Sequence, residues 1–144
     1  CHVAKHHGIS VLAHPSRKSA WEKYDPTWTP FLNGIELWNR KTDGIRPSPQ
    51  GVRMLSHHKL NSFLGLDFHS LKQTFPLSLE LSLSSSNLEK NIILDAIRNG
   101  QYTPKALGLP FHTLNRFPIN KVLSVSETFR RQFLKAVRKL YNYR

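Results

Sequence analysis

The chain has 144 residues with 21 Lys and Arg against 9 Asp and Glu, a net charge of +12, and is 39% hydrophobic and 21% charged. That is the composition of a globular domain or a piece of one, basic enough to attract polyanions, and no apolar run approaches the roughly 20 residues of a membrane-spanning helix. A single cysteine, Cys1, excludes an internal disulfide and fits a reducing, cytoplasmic setting.

The chain opens on Cys1-His2-Val3 with no initiator Met and no signal-peptide pattern, so a fragment or processed product is expected. Residues 1–7 read as the end of a helix closed by Gly8. The apolar run Ile9 to Ala13 suits a short buried parallel strand, stopped at His14-Pro15 because proline disfavours helical geometry in the residue before it. Residues 16–33, with Pro26 and Pro30, predict a loop or short helical turns. Gly34 to Asn39 is the next strand, and residues 40–50 form a Pro- and Gly-bearing loop. A helix over 50–59 would turn Val52, Met54 and Leu55 inward, and a third strand over 61–67 ends at Asp67-Phe68-His69.

Leu77, Leu79, Leu81 and Leu83 alternate with polar residues, the period-two signature of a strand with one wet face. Ser84 to Asn87 offer caps for a helix over 88–99, with Ile92, Ile93, Ala96 and Ile97 inward and Gly100 as its stop. Gln101-Tyr102 begins another extended piece, and residues 103–123 are punctuated by proline. Ser124-Val125-Ser126-Glu127 matches a capping box, which predicts an amphipathic helix over 125–141. Its apolar stripe, Phe129, Phe133, Val137 and Leu140, is expected to pack on the domain and leave the basic face solvated. Residues 116–144 hold eight basic residues and one acid, a local charge of +7.

The alternation of helices and strands over residues 1–99 points to an α/β arrangement with parallel strands, in which functional groups sit just past the carboxyl ends of strands. His14, Asp67 and His69 all fall there. On a strand, Asp67 and His69 would point to one face about 7 Å apart along the chain, where a carboxylate and an imidazole can share a metal. Glu36 could reach the site from its strand, but reads first as an outward or salt-bridged strand residue. The pairs His6-His7 and His57-His58 diverge by about 100° on a helix and read as surface histidines. Trp21, Trp28 and Trp38 read as packing residues.

Leu12-Ala13-His14-Pro15, Gly34-Ile35-Glu36-Leu37-Trp38-Asn39, Gly65-Leu66-Asp67-Phe68-His69-Ser70 and the run Leu94 to Gly100, in that order and spacing, resemble the C-terminal portion of the polymerase and histidinol phosphatase (PHP) superfamily. The resemblance covers about residues 1–105, leaving 106–144 as a Pro-punctuated segment and basic amphipathic helix. It implies the C-terminal part of a distorted (β/α)7 TIM-like barrel. It implies a divalent metal cluster of zinc, manganese or iron, with His14, Asp67 and His69 as ligands. The implied activity is phosphate-ester hydrolysis by a metal-activated hydroxide, with Asp67 and His69 as catalytic residues. The implied substrate is a phosphorylated small molecule or nucleotide, and Arg17 is positioned to meet a phosphate oxygen. The family's opening His-x-His motif, with the acidic residue and His that follow it, does not occur before His14. The chain is therefore expected to enter the fold past its middle. Two other expectations stand beside it: a nucleic-acid-binding module using the basic C-terminal helix and its aromatics Phe117, Phe129, Tyr141 and Tyr143, and an inactive remnant of the fold.

Overall fold

A computed structural model describes residues 2–71, 74–83 and 89–141. The expected caps at Ser84–Asn87, the expected helix start at Leu88, and Tyr143 lie outside these residues. The architecture is mixed α/β: two small three-stranded sheets, helices packed against them, and a long C-terminal helix. The described strands do not form a closed barrel.

The first sheet is parallel, in the order β1 (Val11–Leu12), β2 (Gly34–Asn39), β3 (Asn61–Gly65). Every residue of β2 is buried, which is why it reads as a continuous run and not as an alternation. The short helix α1 (His2–Lys5) precedes β1. Two 3-10 turns, Arg17–Lys23 and Pro26–Phe31, connect β1 to β2.

Between β2 and β3 lie α2 (Arg40–Asp43), inside the region expected to be loop, and α3 (Pro49–His57). Pro49 opens α3 with its φ already suited to a helix, and the Ser48 hydroxyl caps it by accepting from the Gly51 N–H at 3.0 Å. Met54 of α3 packs with Ile35 and Leu37 of β2, and Trp21, Tyr24 and Leu55 close around them.

The second sheet is antiparallel, in the order β4 (Leu77–Leu81), β5 (Tyr102–Ala106), β6 (Leu109–Pro110). Its β5–β6 hairpin pairs Lys105 and Ala106 with Pro110 and Leu109 and turns at Leu107-Gly108. Between β4 and β5, α4 (Lys90–Arg98) buries Ala96 and ends beside Gly100, whose φ of +68° is the left-handed geometry that a helix stop requires. A second core cluster, of Trp38, Ala106 and Leu114, joins the two sheets, with Leu64 touching both clusters.

The chain ends in α5 (Phe111–Leu114) and α6 (Ile119–Tyr141). Here the structure corrects two expectations. The helix does not start at a capping box: it begins right after Pro118, whose carbonyl accepts from the Lys121 and Val122 N–H groups. Ser124 is therefore inside the helix. Glu127, freed from capping, is buried and accepts from Arg130 at 2.7 and 2.8 Å, from Arg131, and from the Ile45 N–H at 3.0 Å. The second correction concerns the packed face. Ile119 and Leu123 touch the core, whereas Phe129, Phe133 and Leu140 are exposed. The helix is anchored by its one acid and by Arg131, which also donates to the carbonyls of Thr42 and Asp43, and the Phe stripe faces away.

Candidate functional site

The loops that follow β1 and β3 bring His14 and Asp67 toward β2, at the carboxyl edge of the parallel sheet. Both residues take left-handed backbone geometry, with φ of +32° at His14 and +48° at Asp67. Such conformations are uncommon outside glycine and concentrate where a structure holds residues for a purpose.

Glu36 joins them from β2. Its carboxylate accepts the main-chain N–H of His14 at 2.5 Å and the side-chain amide of Asn39 at 3.1 and 3.2 Å. It is neither outward nor salt-bridged, as the sequence had suggested, but buried at 8% exposure and satisfied by neutral donors. Burial pushes its carboxyl above the ordinary range; the hydrogen bonds from His14 and Asn39 and the nearby His14 ring only partly offset this. A bulge between Glu36 and Trp38 changes the phase of β2 and lets Glu36 and Asn39 meet, three residues apart.

Gly65 completes this arrangement. A Cβ there would overlap the Glu36 carboxylate, so the glycine opening the Gly-x-Asp-x-His stretch is required by a close approach between strands.

Asp67 and His69 do not sit on a strand, since β3 ends at Gly65. The strand geometry expected for them is replaced by a turn in which His69 Nε2 lies 2.8 Å from Asp67 Oδ1. Lys41 Nζ approaches Asp67 Oδ2 at 3.6 Å. Partial burial opposes the charge on Asp67, but His69, Lys41 and the His14 ring together hold its carboxyl below the usual range. His69 itself is largely exposed.

Among the described residues, two buried atoms of this group have no hydrogen-bond partner: His14 Nδ1, and Asp67 Oδ2, which has only the Lys41 ammonium at 3.6 Å nearby. Orphaned buried acceptors and donors are uncommon in folded proteins, and a bound ion is one of the things that satisfies them. The nitrogen and oxygen donors of His14 and Asp67 suit a zinc, manganese or iron ion. Among the described residues, however, no three His, Cys, Asp or Glu side chains are placed to share one metal. The fit is that of a partial ligand set.

Behind the site, Ser16 Oγ donates to Asp43 Oδ1 at 2.7 Å and lies 2.5 Å from Ser48 Oγ, while Asp43 Oδ2 accepts from the Asn39 N–H at 2.8 Å. This network ties the turn after His14 to the end of β2 and the start of α3. Arg17, the candidate phosphate contact, is exposed on that turn. Asn39 and Lys41 carry no site signal in the sequence; Glu36 does, as an acid inside an otherwise apolar strand that could reach the site, although it reads first as outward or salt-bridged.

Trp38 is fully buried and donates from Nε1 to the Gly44 carbonyl at 3.0 Å, and Trp21 packs in the core. Trp28 is half-exposed. His58 stacks edge-on against Tyr24, while His6, His7 and His57 are exposed. No helix among the described residues is long and apolar enough to cross a membrane.

No family model, curated protein or solved structure matches the chain.

Proposed function

We propose that the chain carries part of a metal-dependent phosphoesterase site, in a fold related to one side of a distorted (β/α)7 barrel. The observation that carries this reading is that His14 and Asp67 follow the carboxyl ends of two strands of one parallel sheet, near enough for the His14 ring to help lower the Asp67 carboxyl pKa, with His14 Nδ1 and Asp67 Oδ2 buried and without a hydrogen-bond partner among the described residues. The ordered motifs that resemble the PHP superfamily imply metal ligands at His14, Asp67 and His69, two of which are these residues.

His14 and Asp67 would hold a divalent cation, with His69 joining by turning away from Asp67. Such a cation supplies Lewis acidity toward a phosphoryl oxygen and lowers the pKa of water. The chain's own residues divide the remaining work. Asp67, kept ionised by its neighbours, suits the role of an anionic ligand better than that of a base. Glu36 acts as a positioning residue: it fixes the His14 backbone and hence the direction of the imidazole. Arg17 stands one turn beyond His14, where its guanidinium can receive the oxygens of a phosphate monoester or nucleotide.

Elemental analysis of the purified chain tests the reading, alongside His14→Ala and the Asp67→Ala/His69→Ala pair. Wild type should retain a divalent ion that both variants lose, and release of phosphate from an aryl phosphate should follow the metal. Equal metal in all three, or phosphate release indifferent to both chelator and His14→Ala, sinks it.

A further inference from the structure

The outward face of α6 has no role in the site, and among the described residues its large apolar side chains stay exposed. At about 100° per residue, Val122, Val125, Phe129, Phe133, Ala136 and Leu140 fall within an arc of about 80°. Their exposure is not marginal: Phe129 is 65% exposed, Phe133 68% and Leu140 73%. Phe117, just before the helix, is 81% exposed. The helix meets the domain through a different side, that of Ile119, Leu123 and Glu127.

Charge decides what such a face fits. Lys121, Lys135 and Lys139 line the flank away from the domain. Glu127 is the one acid of the helix, and its charge is spent on Arg130 and Arg131. The exposed helix is thus apolar on one side and purely cationic beside it.

A second copy of the chain would bring two lysine flanks together with no acid to answer them. A protein groove is disfavoured because lysine is depleted at such interfaces. A nucleic acid would use the lysines and stack bases on the two phenylalanines, but Val122, Val125, Ala136 and Leu140 offer no stacking surface. A lipid surface uses every part: the apolar arc enters the acyl boundary while lysine stems lie along it and place their ammonium groups among anionic headgroups.

We propose that α6 is an interfacial helix that docks the chain on an anionic membrane surface, with Phe129 and Phe133 inserted and Lys121, Lys135 and Lys139 on the headgroups. The 23-residue helix lies along the surface; no helix among the described residues is long and apolar enough to cross.

Flotation of the 144-residue chain with phosphatidylcholine vesicles, with and without phosphatidylserine, tests this. The chain should float with the phosphatidylserine vesicles and not with phosphatidylcholine alone. Phe129→Ser/Phe133→Ser should cut the bound fraction by about tenfold or more, with the circular dichroism of wild type, because both side chains are exposed. Lys135→Glu/Lys139→Glu should cut it as well, and serves if the first variant fails to fold. Absence of flotation with phosphatidylserine vesicles overturns the proposal. So does undiminished flotation of the Phe129→Ser/Phe133→Ser protein, which would mark simple polyanion attraction. Two further results, each without flotation, would reassign the face: a dimer in sedimentation velocity, or binding of a single-stranded oligonucleotide, that the same double substitution abolishes.

Discussion

The main-chain N–H of His14 donates to the carboxylate of Glu36, so a residue after β1 is held by a buried acid in the middle of β2. The same carboxylate lies against Gly65 of β3, and three strands are tied at one point. Adding a methyl group by Gly65→Ala forces that carboxylate aside and should destabilise the chain by about 1–3 kcal/mol in urea unfolding. In a Glu36→Ala background the same substitution should cost much less, because the overlap is gone. Equal costs in both backgrounds would show that the contact does not constrain Gly65.

Glu127 should dominate the acid side of the stability profile. Burial pushes its carboxyl up, but the hydrogen bonds from Arg130, Arg131 and the Ile45 N–H outweigh it and hold the pKa at about 2, against an ordinary 4.5. A depressed folded-state pKa means that the contribution is complete above about pH 4.5 and lost as pH falls toward 2. Wild type should therefore exceed Glu127→Gln by on the order of 2–3 kcal/mol near neutral pH. The difference should close by pH 2. A gap that stays constant across that window would refute the linkage.

Trp38→Phe removes the indole donor to the Gly44 carbonyl and leaves space in the cluster with Ala106 and Leu114. A loss of about 2–4 kcal/mol is expected from urea midpoints. The mean tryptophan emission should also move to the red, since half-exposed Trp28 then contributes a larger share. Unchanged emission and midpoint would contradict the buried position of this ring.

Ser48→Ala deprives α3 of its cap and Ser16 of a partner in one step. It should lower stability by about 1–2 kcal/mol. Ser56→Ala, which removes a hydroxyl that donates to the Arg53 carbonyl on the exposed side of the same helix, should change it by less than about 0.5 kcal/mol. Matching effects at the two serines would argue against the network behind the site.

Local pattern by itself determined most of the elements. The runs at 34–39 and 61–67, the alternation at 77–83 and the periodic apolar positions of α3 and α4 are each written in consecutive residues, because burial of one face or both leaves a period in the chain, although β3 ends at Gly65 and β4 at Leu81. It also brought His14 and Asp67 forward, through their places after apolar strands. What Glu36 does could not be read that way: its burial depends on a bulge in β2 and on the missing side chain of Gly65, a residue 29 positions away. The turn joining Asp67 to His69 depends on a left-handed backbone that a period-two reading does not contain. The same holds for α6. Its amphipathic stripe is legible, but which side meets the domain was decided by the Glu127 contacts with Arg130, Arg131 and Ile45, and a hydrophobic pattern reports what can be buried, not what a distant ion pair leaves exposed.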